Sequence, residues 1–211
     1  MSDAPIPNLD PEAALAWRSL LSGGLGGKVP TIHDGNLEVV RSLPLSNREL
    51  TLAGRPYDER TVEVPGPGGP IPTSVFTPDP VGGSAVSGAV ACVVWVHGGG
   101  MVAGTRWSAA EALDAAVDVG AVVVSFDYRL APEHPAPAAV DDCLAVIDAV
   151  MGGATDLEVD PGRVVLGGNS AGGVLAAAAA LRARDEGGPA LAGLFLCCPM
   201  LDDRMDTPSA Q

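Results

Sequence analysis

From residue 89 onward the chain alternates short, almost uninterrupted apolar runs with longer stretches of helical rhythm. AVACVVWV (89–96), AVVVSF (121–126), RVVLG (163–167) and AGLFLC (192–197) have strand length and little polarity. Runs of this kind mark strands covered on both faces. The stretches 107–119, 136–151 and 171–186 between them predict helices. Strand followed by helix, repeated, implies a mostly parallel sheet with right-handed crossovers.

Upstream the rhythm is different. RTVEV (60–64) and IPTSVF (71–76) alternate or nearly so, and PGPGG (65–69) separates them, which predicts an antiparallel hairpin with a loose turn. DPEAALAWRSLLSGG (10–24) predicts a helix, with Asp10 as N-cap, Pro11 at the first helical position and Gly23–Gly24 as its stop. Residues 24–57 are punctuated by Gly and Pro and suggest little beyond a short helix near 36–42. VGGSAVSGA (81–89) reads as a surface loop. The division that follows is 1–57 as N-terminal helices and linker, and 58–211 as an α/β domain.

Composition narrows the function classes. The 211 residues suffice for a domain with a substantial core, and 47% hydrophobic against 18% charged residues mark a globular chain. The net charge of −14 comes with no basic cluster, so neither a nucleic-acid surface nor attraction to an anionic membrane is expected. The uncharged runs 80–105 and 164–181 are broken by glycines and by His97 or Asn169–Ser170, which suits buried strands with tight turns and not membrane spans. MSDAPIPNLDPE (1–12) has no apolar signal segment, and a cytoplasmic location is the expectation. The four cysteines, at 92, 143, 197 and 198, lack metal or disulfide-framework spacing. Cys92 and Cys197–Cys198 lie in apolar runs and are expected to be buried thiols.

Two motifs carry chemistry. Gly168–Asn169–Ser170–Ala171–Gly172 fits G-x-S-x-G, between an apolar strand and a helix. A serine on such a turn is lifted above the sheet as a nucleophile, and the helix N-terminus favours negative charge beside it. Dinucleotide and Walker A patterns fail, because Asn169 stands two residues after Gly167 and Gly172 is followed by Gly173–Val174. A purely structural Gly/Ser turn is the remaining alternative. His97–Gly98–Gly99–Gly100 follows the strand VVWV. Its backbone N–H groups, with that of Ala171, are candidates to stabilise an oxyanion. Asp127, Arg129, Glu133 and His134, in FDYRLAPEHPAPAAVDDC (126–143), are expected to brace a loop as one polar network.

HGGG, DYRLAPEHPAPAAVDDC, DPGRVVLGGNSAGG and CPMLDDR, in that order, resemble the hormone-sensitive-lipase group of α/β-hydrolase esterases and lipases. The resemblance runs from about residue 60 to residue 211. It implies an α/β-hydrolase fold, hydrolysis of small-molecule carboxylic esters, no cofactor and no metal, and N-terminal helices that form part of a cap. By position, Ser170 matches the nucleophile, while Gly98, Gly99, Gly100 and Ala171 match the oxyanion hole and His97 holds that loop. Asn169 stands where the family more often has Asp, and Met101 where it often has an aromatic residue. The family's triad runs serine, acid, histidine, with the acid after a seventh strand and the histidine after an eighth. Here six strands are legible, all three histidines (33, 97 and 134) precede Ser170, and Asp202 and Asp203 match the loop after strand six. The expectation is a fold truncated after its sixth strand, lacking the triad acid and histidine, with impaired hydrolysis. Its sixth strand would be an exposed edge open to homo-oligomers. A non-catalytic small-molecule-binding protein of the same fold is the alternative.

Overall fold

A computed structural model describes residues 35–42, 46–79, 89–153 and 158–204. The chain divides into two compact units, Met1–Ser42 and Leu43–Gln211. In the first, the described element is α1 (Leu37–Arg41), on the stretch expected to be helical. The helix expected at 10–24 lies outside the described residues.

The second unit contains, in chain order, α2 (Arg48–Leu52), β1 (Tyr57–Gly66), β2 (Gly69–Pro78), β3 (Val90–Val96), α3 (Ala110–Ala116, extended by a 3-10 turn at Val117–Val119), β4 (Val122–Phe126), α4 (Ala138–Met151), β5 (Val159–Asn169), α5 (Ala171–Asp185) and β6 (Gly193–Cys197). The strands form one sheet in the order β1-β2-β4-β3-β5-β6. β3 pairs in parallel with both β4 and β5, β5 pairs in parallel with β6, and the β1–β2 hairpin joins β4 antiparallel.

The hairpin turn is tight and not loose. Gly66 pairs with Gly69, leaving Pro67–Gly68 as a two-residue turn. Most of PGPGG therefore belongs to the ladder, made possible by Gly69 at φ 121, a value that favours glycine. α2 had no visible pattern in the sequence. It is one and a half turns long, capped where the Asn47 side chain accepts the Leu50 N–H at 2.9 Å.

Both faces of the sheet are covered, as uniformly apolar strands require. Alternate residues of β3 divide the work. Cys92, Val94 and Val96 join the layer under α4 and α5, whose Val146, Ile147 and Ala176 are fully buried. Trp95 faces the opposite layer with Phe76 and Val123, against Ala112 and Leu113 of α3. Each large side chain so buried contributes roughly 1.5–3 kcal/mol.

The connections place a crevice. From β3 the chain crosses one face through α3 to reach β4; from β5 it crosses the other face through α5 to reach β6. β3 and β5 are neighbours whose helices depart to opposite sides. At such a switch point the C-terminal strand ends open a cleft, the usual ligand position in open α/β sheets.

Two expectations are corrected. Asp127 and Arg129 do not brace each other: Asp127 pairs with Arg106, while Arg129 pairs with Asp142 of α4. Arg106 lies outside the quoted stretch 126–143, and Asp142 lies near its end, on the following helix. Cys92 and Cys143 are buried, but Cys197 is half-buried and Cys198 exposed. β6 is the sheet edge, and Cys198 already lies beyond it at φ 38. No helix among the described residues is long and apolar enough to cross a membrane.

Candidate active site

β5 ends at Asn169 and α5 begins at Ala171, so Ser170 alone makes the turn between them. It does so at φ 52 and ψ −117. A side-chain-bearing residue held there costs on the order of 1–3 kcal/mol. The conformation is fixed from both sides: the Ser170 N–H donates to the Cys197 carbonyl at 2.9 Å, and its carbonyl accepts from Gly173 N–H at 3.0 Å. The glycines of the motif are needed for close approach. A Cβ on Gly172 would lie 2.0 Å from the Val96 carbonyl oxygen, and one on Gly168 2.4 Å from that of Gly172.

The second motif is brought to the same place by sheet register. Val96 is opposite Gly168 in the parallel β3–β5 pair, so residues 97–100 and 169–172 leave the sheet side by side. A Cβ on Gly98 would lie 2.9 Å from Asn169 Oδ1 and 3.1 Å from the Asn169 carbonyl oxygen. The sequence-predicted residues Gly98, Gly99, Gly100, Ser170 and Ala171 are thus grouped at the ends of β3 and β5.

The loop's carbonyls are anchored. The Gly98 oxygen accepts from His97 Nδ1 at 2.7 Å, and the Gly99 oxygen accepts from the N–H groups of Ala103 at 3.0 Å and Val102 at 3.2 Å. In a trans peptide the following N–H points opposite to the carbonyl. The N–H groups of Gly99 and Gly100 therefore face away from these anchors, and neither donates to an acceptor among the described residues. Ala171, as the first residue of α5, has an N–H with no intrahelical partner.

His97 is fully buried, its ring stacked on Tyr128 with centroids 4.2 Å apart. Burial pushes its pKa below the ordinary histidine value, opposed by the Gly98 carbonyl and by the charge of Asp127. The ring is therefore neutral near pH 7 and carries its proton on Nδ1. Its Nε2 has no hydrogen-bond partner. His134 is exposed, and among the described residues no imidazole nitrogen is hydrogen-bonded to the Ser170 hydroxyl. His33 lies outside the described residues.

Several neighbours were not anticipated from the sequence. Asn169 Nδ2 donates to Glu111 Oε1 at 3.3 Å, while its buried Oδ1 is unpartnered. Arg106 holds the segment after the glycine loop: its backbone N–H donates to Asp127 Oδ1 at 2.6 Å and its Nε to Ser74 Oγ at 3.0 Å. Tyr128 Oη donates to the His97 carbonyl at 3.0 Å. The available signal for Tyr128 was a lone aromatic in a polar loop just past the end of a strand. No cluster of three or more metal-ligating side chains occurs among the described residues.

A family model described as alpha/beta hydrolase fold matches residues 93–211, more than half of the chain. The chain belongs to this α/β-hydrolase family. Within the family, it is 41% identical over 137 residues to Esterase LipI of Mycobacterium tuberculosis, covering 64% of this chain and 42% of that protein. It is 43% identical over 142 residues to Carboxylesterase NlhH of the same species, covering 66% of this chain and 42% of that one. Among solved structures, a bacterial heroin esterase superposes with a TM-score of 0.78 at 34% identity, over 97% of this chain and 62% of that one. A hyperthermophilic esterase from the archaeon Pyrobaculum calidifontis superposes with a TM-score of 0.71 at 35% identity, over 87% of this chain and 56% of that one. This α/β-hydrolase chain spans about two fifths of the length of the curated relatives it matches.

Proposed function

We propose that this chain carries the nucleophile and oxyanion-binding part of a carboxylic-ester hydrolase. Ser170 Oγ attacks the ester carbonyl, and the N–H groups of Gly99, Gly100 and Ala171 receive the negative charge that develops on the carbonyl oxygen. Collapse of the tetrahedral intermediate expels the alcohol and leaves an acyl-serine, which water then hydrolyses. The observation that carries this reading is the grouping of an elbow serine with a glycine loop whose Gly98 and Gly99 carbonyls are engaged by internal donors, leaving the N–H groups of Gly99 and Gly100 without a partner among the described residues. Each donor so pre-aimed is worth about 3 kcal/mol in the transition state. The esterase names of the relatives support the same substrate class.

The base that accepts the Ser170 proton, and the acid behind it, are not assigned to any described residue. His97 is committed to the Gly98 carbonyl and His134 is exposed. The 211-residue chain is accordingly expected to be a slow esterase, retaining about 10³-fold acceleration over water from binding and oxyanion stabilisation.

The test is hydrolysis of p-nitrophenyl acetate and butyrate by this chain and by Ser170→Ala. Slow turnover that disappears in Ser170→Ala supports the reading. Equal rates in the two proteins would overturn it, and saturable ester binding without turnover would favour a binding protein of the same fold.

A further inference from the structure

Three successive carbonyls at the end of β3 are each held by an internal donor. His97 O receives the Tyr128 hydroxyl at 3.0 Å, Gly98 O receives His97 Nδ1 at 2.7 Å, and Gly99 O receives the Ala103 N–H at 3.0 Å. The middle anchor depends on the first residue of the row, because the imidazole that grips Gly98 belongs to His97 itself. Tyr128 fixes that residue twice. Its hydroxyl sets the His97 peptide plane, and its ring lies on the imidazole at a centroid separation of 4.2 Å and an interplanar angle of 17°.

We propose that Tyr128 is a positioning residue for the anion-binding loop, holding the His97 carbonyl and, through the stacked imidazole, the Gly98 carbonyl, and so setting the peptide planes that present the N–H groups of Gly98 and Gly99. The proposal rests on the ester-hydrolase reading for its catalytic consequence, but its structural content stands apart from it. Tyr128 is 3% exposed, and Phe126 meets its ring edge-on at 6.4 Å, so it has little freedom to leave this position. Burial also pushes the phenol well above its ordinary value, so the hydroxyl remains a donor throughout the working pH range. The His97 carbonyl is thus held by a residue thirty-one positions downstream, just past the end of the neighbouring strand β4.

The experiment compares the 211-residue chain with Tyr128→Phe, Phe126→Leu and Ser170→Ala. Tyr128→Phe keeps the stacked ring and removes only the hydroxyl. Phe126→Leu weakens packing on the other side of the tyrosine and keeps the hydroxyl. Ester hydrolysis, thermal unfolding and the amide resonances of Gly98, Gly99 and Gly100 in ¹⁵N NMR are measured for each. In Tyr128→Phe the expected result is a fall in kcat of about ten-fold, the scale of one well-placed hydrogen bond. KM should be unchanged, and the three glycine resonances should shift or broaden. Phe126→Leu should lower the unfolding midpoint yet leave the glycine resonances in place. Unaltered glycine resonances in Tyr128→Phe, or the same disturbance in Phe126→Leu, would overturn the proposal. Equal rates in the parent chain and Ser170→Ala would sink the hydrolase reading alone, since the resonances still decide the role of Tyr128.

Discussion

Arg129 grips Asp142 through both backbone and side chain: its amide N–H lies 2.9 Å from Oδ2, and its Nε lies 3.0 Å from each carboxylate oxygen. Asp142 is 1% exposed, and the guanidinium also donates to the Ala138 carbonyl at 3.1 Å. The pair therefore ties the loop after β4 to the start of α4. Removing one member strands the other, so Asp142→Ala should cost about 3 kcal/mol in urea unfolding. Asp142→Asn keeps an acceptor for the Arg129 amide and should cost less. A loss under roughly 1 kcal/mol for the alanine variant, the range of exposed pairs, would show that the tie is dispensable.

Gly99 adopts φ 123, and a Cβ there would lie 2.1 Å from the Ala103 carbonyl oxygen. Alanine cannot be accommodated without moving the peptide that presents the next N–H. Gly99→Ala should reduce Ser170-dependent hydrolysis on the order of 10²-fold, the effect of losing one oxyanion donor. The same strain should lower the unfolding midpoint by a few degrees, the scale of about 1–3 kcal/mol of backbone strain. Steady-state kinetics and thermal unfolding on the same preparation check both halves.

His97 links stability to pH. Its pKa is lowered by burial in the folded chain and returns to about 6.5 on unfolding. Below that value the unfolded state binds more protons than the folded state, so stability falls as pH falls; above it this residue contributes no slope. Urea unfolding between pH 5 and about 7.5 should show a decline that starts near the ordinary histidine value. His97→Gln should flatten it, and an unchanged slope in that variant would assign the effect to other groups.

β6 pairs with β5 and has no second strand neighbour among the described residues. Leu194 on this strand is 47% exposed, and Leu181 on α5 is 52% exposed. An open cleft of about 370 Å³ beside Leu194 is lined also by Ala180, Arg184 and Leu191. An apolar edge with free peptide groups invites another copy to pair with it. Sedimentation velocity of the 211-residue chain should reveal concentration-dependent association, and Leu194→Lys should shift it toward monomer. A parent chain that stays monomeric at all concentrations would contradict this.

Much of the fold was legible because burial on both faces leaves a simple trace. β3, β4 and β6 are short apolar runs in which Ser125 is the one polar side chain, and α4 and α5 carry enough apolar positions to be read as helices. β5 begins at Val159 and not at Arg163, since Asp160–Pro161 disguises its exposed start. α2 is too short for a periodic signal. The serine and the glycine loop could be named from their motifs, as close backbone approach demands glycine wherever it occurs. The groups that hold them could not. Tyr128 and Arg106 act on partners that the pairing of β3 with β4 brings near, and Asp142 reaches Arg129 across the turn into α4; no periodic pattern encodes those contacts.

The anchors of the glycine loop all lie between His97 and Tyr128: one imidazole, one phenol and two backbone amides. They span two adjacent strand ends, and none of them is drawn from the elbow. The carbonyl side of the glycine loop is therefore fixed without help from the elbow. Whatever groups stand across the crevice from it could be exchanged without disturbing how these peptide planes are set.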